Sequence, residues 1–458
     1  MNLRAMSYAL ASGLNATIRF SGDIFETEDG RNWTDATYKT YSTPLSLPLP
    51  QTMEKGSMIR QQVSVHLDKP AAPQPFRPSA LQIAFDAGGR SGILPGIGVL
   101  DAGGAPSPAA LSLLRRAGLS HARTDIYFSR GGVASQLERA RLLHAQTGMP
   151  AELALHFTAA AAAEAGELGS LLRENPLAVV RFLVYSDREP SVPAATVGLV
   201  IKALQGIAPL AGGTNGYFVE INRRRPPAEL LDAVCFSATP QVHTVDDVAV
   251  MENLPGLLET LDSAHRFSGS KAVVVSPLTL RPRKLPGRPQ KDGGPDPRQN
   301  TLFAAAWALG SLAYCVEGGA ESITLVEAAG PGGCMTSDGE SVFPLYVLLS
   351  WLSAFIGRPA RRCGASDPRR AIGLSFADNG PFAAIAANLT ASRQRVLASG
   401  LPADVRCSIL DETAFAAVRA LPDPAAGLPL EPLSVKAGRC TLELPPYALV
   451  KLQEPQAL

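Results

Sequence analysis

The sequence has no excess of charge of either sign. Its 42 lysines and arginines face 41 acids, a formal net charge of +1. That gives no electrostatic reason to expect nucleic acid or an anionic membrane as a partner. Long apolar runs are missing too, since no uninterrupted stretch approaches the roughly 20 residues of a bilayer-spanning helix. The opening stretch, 1–20, carries Arg4 and Arg19 with no apolar core or cleavage-like segment between them, so no secretory signal is read and a cytoplasmic protein is expected. The three sequons, at Asn15, Asn32 and Asn388, are then chance matches. Cysteines are sparse: Cys235, Cys315, Cys334, Cys363, Cys407 and Cys440 form no C-x-x-C pair, as expected of reduced, mostly buried thiols. His66, His121, His144, His156, His243 and His265 form neither H-x-H nor H-E-x-x-H, so no metal and no cofactor are expected. A G-x-S-x-G elbow is absent, which disfavours a serine hydrolase of the α/β-hydrolase type. Gly98-Val-Leu-Asp-Ala-Gly-Gly104 has the wrong spacing for a dinucleotide fingerprint, and Gly330-Pro-Gly-Gly333 is a weak phosphate cradle.

What is present is a rhythm. At 458 residues the chain exceeds one ordinary domain. Residues 1–78 suggest a partial N-terminal β-domain ending in the Pro-rich linker Pro70–Pro78, with strands at Asn15–Phe20 and Gln61–Leu67. Between those strands, Gly22–Tyr41 mixes acids, Arg31, Lys39 and aromatics; it is either a ligand contact or a polar loop packing Trp33. Residues 79–360 repeat a strand-then-helix pattern eight times, from Ile97–Leu100 through Ser322–Val326 and Phe343–Ile356. The strands are continuous apolar runs, as in sheets covered on both faces. The pattern predicts an α/β fold, a (β/α)₈ TIM barrel. Residues 361–458 switch to short strands, predicting a C-terminal antiparallel β-sandwich.

In such a barrel, reactive groups sit at the C-terminal ends of the strands. The ends give Asp101, then Arg123 and Asp125, then His156, then Asp187 and Glu189. The fifth strand is placed at Gly216–Arg223, delivering Glu220 and Asn222, with Ala211–Gly216 as a turn before it. Gln241 and His243 follow the sixth, Ser276, Thr279 and Arg281 the seventh, and Glu327 the eighth. Glu220 is either a functional acid or the partner of Arg223, Arg224 or Arg225. A retaining glycosidase wants acids after strands four and seven. Asp187-Arg-Glu-Pro190 supplies one, but Val273–Arg281 supplies none. Carboxylate and histidine acid–base work on a polyhydroxylated or carbonyl substrate remains. The loop Arg281–Gln299 is either a lid or disordered.

The assembled residues resemble the D-apionate lactonase family. The carrying stretches are Glu28-Asp-Gly-Arg-Asn-Trp-Thr-Asp-Ala-Thr-Tyr-Lys-Thr-Tyr41, Phe218-Val-Glu-Ile-Asn-Arg-Arg-Arg-Pro226, Pro240-Gln-Val-His-Thr-Val-Asp-Asp247, Thr279-Leu-Arg-Pro-Arg283 and Asp296-Pro-Arg-Gln299 before Trp307. The resemblance implies a three-part layout and hydrolysis of a small sugar lactone, D-apionolactone, to its open acid. The chain departs from the family in looking shortened at the front, and in having Val326-Glu-Ala-Ala-Gly-Pro-Gly-Gly333 where Glu-Thr-Thr-Gly followed by Trp-Arg is expected. On this reading Glu220 or Glu327 activates water and Asp125 protonates the leaving alkoxide. His243, Asn222 and Arg123 stabilise the oxyanion, while His156, Gln241, Arg281 and Glu189 contact substrate. The alternatives are a glycosidase-like barrel using Glu189 as acid and a catalytically inactive sugar-binding protein.

Overall fold

A computed structural model describes residues 2–10, 13–48, 50–69, 80–101, 103, 104, 106–282, 294–376 and 380–455. The linker reading at 70–78 and most of the loop reading at 281–299 lie outside the described residues. The chain forms two compact units, residues 1–31 with 36–79, and residues 32–35 with 80–458. The first contains a three-stranded sheet, Ala5–Ala9, Asn15–Ser21 and Gln62–Leu67, and a two-stranded one, Glu26–Asp29 with Tyr38–Tyr41.

In the second unit, eight strands close a barrel: Gly96–Leu100, His121–Tyr127, Ala151–Phe157, Val179–Ser186, Leu210–Tyr217, Ala233–Ala238, Ala272–Leu278 and Ser322–Glu327. Neighbours pair in parallel, and the eighth returns to the first through Ile323 opposite Ile97. Local chemistry sets the helix ends. Helix Pro108–Ala117 starts under the Ser107 hydroxyl, which accepts from the Ala110 amide at 3.1 Å, and stops at Gly118 in the left-handed region. Helix Leu302–Glu317 is buried all along its length except at its last residue, sharing a core with barrel residues such as Ile323 and sheet residues such as Leu374 and Ile385.

Two expectations are corrected here. The fifth strand is Leu210–Tyr217, and Phe218–Arg223 is a short helix. Among the glycines taken for a turn, Gly213 is required by close strand approach: a Cβ there would lie 1.9 Å from the Cys235 carbonyl oxygen. Gly213→Ala should therefore cost about 1–3 kcal/mol, read as a lower urea midpoint, and an unchanged midpoint would remove this account. The second correction concerns Leu81–Ile93, placed by sequence within the barrel span. It joins a nine-stranded sheet instead, antiparallel to Pro359–Ala365 and parallel to Gln394–Ser399. The remaining pairs in that sheet are antiparallel, as expected after residue 361. Among the described residues no helix is long and apolar enough to cross a membrane.

Candidate active site at the barrel mouth

Alternation along a strand sends every second side chain into the barrel. On the second strand these are His121, Arg123, Asp125 and Tyr127. Part of the interior is apolar, with Ala154, Leu183, Tyr185, Ala211, Cys235 and Val274 packed together. Beside that cluster runs a charged column. At its base Glu152, fully buried, accepts from the Ser276 hydroxyl at 2.6 Å and the Thr324 hydroxyl at 2.7 Å, with Arg181 Nη1 at 3.5 Å. Burial raises the Glu152 pKa, but His121, Arg181, Ser276 and Arg123 outweigh it and hold the carboxyl below its ordinary value. Burial pushes the His121 imidazole down, against the pull of Glu152. Its neutral Nε2–H can donate to Thr324 at 2.9 Å.

Arg123 carries the column upward. Its guanidinium donates to Ser276 at 3.1 Å and to Asn215 at 2.7 Å, and grips both oxygens of Asp125 at 2.8 and 3.2 Å. Burial lowers the Arg123 pKa, but Asp125 outweighs it, so the group stays charged. Asp125 also bonds His156 Nε2 at 2.7 Å. The His156 ring stacks on Tyr127 with centroids 4.1 Å apart, and the Arg130 guanidinium lies 3.9 Å from the same Tyr127 centroid. Two groups that close must occupy opposite faces of the ring.

Three clefts meet above this column. One of about 350 Å³ is lined by Asp125, Tyr127, Arg130, Asp101 and Arg139, the last two paired at 2.5 Å. One of about 630 Å³ shares Leu100, Tyr127 and Arg130 with it and adds Thr279, Arg281, Asp296 and Glu327. A third, about 220 Å³, lies between Asp101 and Glu327. Asp296 is gripped by Arg298 and Gln241; burial raises its pKa, but these partners outweigh it and bring it down to about 2.

The structure thus sets Asp125, Arg281 and Glu327 on adjoining clefts, with His156 and Arg123 buried behind Asp125, and leaves other predicted residues elsewhere. Arg123 is buried beneath Asp125, so the expected oxyanion contact is corrected to a supporting one. Glu220, buried in the first turn of helix Phe218–Arg223, lies outside the linings of these three clefts. Asn222 donates to Asn32 at 2.7 Å, and His243 is bonded to the buried Asp35 with Trp33 edge-on at 5.8 Å. The segment Asn32–Asp35 therefore packs through Trp33. Gln241 is buried, donating to the Leu280 carbonyl at 2.9 Å. Glu189 is half-exposed and paired with Arg224 at 2.5 Å beside a separate cleft. Asp187 keeps one buried oxygen without a partner. Sequence reasoning missed Glu152, Tyr127, Arg130 and Arg139. The i, i+2 series His121-Arg123-Asp125-Tyr127 was the available signal, because strand alternation commits all four to one face.

The architecture is that of a (β/α)₈ barrel joined to a β-sheet domain. It is shared with a GH30 endoxylanase from Clostridium papyrosolvens (TM-score 0.55, 12% identity, 82% of this chain and 100% of that one) and with AbfB, a family 51 α-L-arabinofuranosidase from Bifidobacterium longum (TM-score 0.57, 13% identity, the same coverage). At such identities the likeness concerns the fold. Sequence narrows it: residues 95–357 match the D-apionate lactonase TIM barrel domain, 1–70 its N-terminal domain and 368–452 its C-terminal immunoglobulin-like domain. The chain belongs to the D-apionate lactonase family. A D-apionate lactonase of Brucella anthropi is 29% identical over 441 residues, covering 86% of this chain and 69% of that protein.

Proposed function

We propose that the chain hydrolyses a sugar lactone, D-apionolactone, to the open acid, with Glu327 as the proton-transferring group. The observation that carries this assignment is Glu327 lining the same cleft as Arg130 and Arg281, one shared wall away from Asp125. Water adds to the lactone carbonyl carbon as Glu327 accepts its proton, and the carbonyl oxygen becomes an oxyanion facing Arg281. Collapse breaks the ring C–O bond, and Glu327 returns the proton to the departing alkoxide. Asp125 is a poor proton donor because Arg123 grips both its oxygens. Its part is to accept hydrogen bonds from substrate hydroxyls, with His156 held beside it.

The test is acid release from D-apionolactone followed by pH-stat at neutral pH, with and without chelator, beside an aryl glycoside. Turnover of the lactone alone is expected. Turnover of the glycoside alone would move the function to a glycosidase, and calorimetric binding of the lactone without turnover would make the chain a binding protein.

A further inference from the structure

The cations around the mouth are not equally satisfied. Arg123 has Asp125 at 2.8 Å, Arg139 has Asp101 at 2.5 Å, and Arg298 has Asp296 at 2.9 Å and Asp247 at 2.8 Å. Arg130 and Arg281 have no acid partner among the described residues. Arg130 rests on the Tyr127 ring, and Arg281 reaches only the Pro295 carbonyl at 3.4 Å. Both line the cleft of about 630 Å³, and both are exposed. Of the two acids that line this cleft, Asp296 is neutralised by Arg298, so two guanidinium groups face the single Glu327 carboxylate and leave an anion-receiving surface. Tyr127 restricts where Arg130 can point, because its other face is taken by His156.

We propose that Arg130 and Arg281 hold the carboxylate of a polyhydroxy acid, so that this cleft prefers the charged open acid over its uncharged counterparts. The inference rests on the lactonase reading for the source of that acid, though the site itself is a matter of binding. A lactone is neutral, and its hydrolysis product carries a full negative charge at neutral pH. A cleft built this way retains product, is inhibited by other polyhydroxy carboxylates, and loses that inhibition as salt rises.

Titration calorimetry with the open acid and with its uncharged amide tests this on the full chain. The wild type should bind the acid at least about tenfold more tightly than the amide, since a charge-assisted hydrogen bond contributes about 1.5–3 kcal/mol. Arg130→Gln and Arg281→Gln should each bring that ratio toward one. Arg130→Lys, which keeps the charge but not the planar fork, should fall between. Circular dichroism melting confirms that each variant is folded. No preference for the acid in the wild type, or a preference untouched in both glutamine variants, overturns the proposal. Acid binding without lactone turnover keeps the site and removes the lactonase reading; lactone turnover without acid preference does the reverse.

Discussion

Glu327→Gln is expected to lower kcat for lactone hydrolysis by about 10²–10⁴ with the protein folded, the range set by loss of one positioned acid–base group. Glutamine keeps the size of the side chain and its hydrogen bonds but cannot take a proton from water. The position is well fixed. Its amide donates to the Gly332 carbonyl at 3.2 Å, and the following Ala328 amide donates to Leu100 at 2.8 Å, tying the end of the last barrel strand to the first. Glu220→Gln should cost much less. Steady-state kinetics on the two variants decide the matter, and the opposite ranking would return the proton transfer to Glu220.

Glu152→Gln should be the most destabilising of the substitutions considered, by about 3–5 kcal/mol. Removing one member of a buried charged group leaves the Arg181 guanidinium without its buried carboxylate in a low-dielectric interior. Arg181 retains Glu321 at the barrel floor, which softens the loss. A urea midpoint within error of wild type would show that the column is not an energetic unit. The pH dependence follows from the same residues. Burial depresses the His121 pKa in the folded state, while the unfolded imidazole takes up a proton near pH 6.5. Acid therefore favours the unfolded chain below that value. Glu152, also depressed, acts in the same direction below its ordinary value of 4.5. Its contribution is present at neutral pH and is lost on acidification. Urea midpoints that rise between pH 7 and pH 5 would contradict this sign.

The barrel was legible in the sequence because its strands, covered on both faces, write themselves as apolar runs at regular intervals. The fifth escaped for a physical reason. Close packing against Cys235 demands glycine, so Ala211–Gly216 looks like a turn, while the aromatic and β-branched Tyr217–Ile221 looks like the strand. Leu81–Ile93 escaped because its partners, Pro359–Ala365 and Gln394–Ser399, are nearly three hundred residues away, beyond any local signal. At the mouth, reading strand ends found Asp125, His156, Arg281 and Glu327. It could not see that Arg123 points down into the column or that His243 is engaged by Asp35, since both depend on which elements meet across the barrel.

The strand Leu81–Ile93 also bears on synthesis. It emerges from the ribosome before the barrel, yet its neighbours on both sides in the sheet follow the barrel. Until translation passes residue 365 it has no permanent neighbour, and its second edge stays open to misplaced pairing until residue 399. The barrel is in effect a long insertion between one strand and the rest of its sheet. Cutting the chain after the last barrel helix would not release a clean catalytic fragment, but one trailing an orphaned thirteen-residue strand.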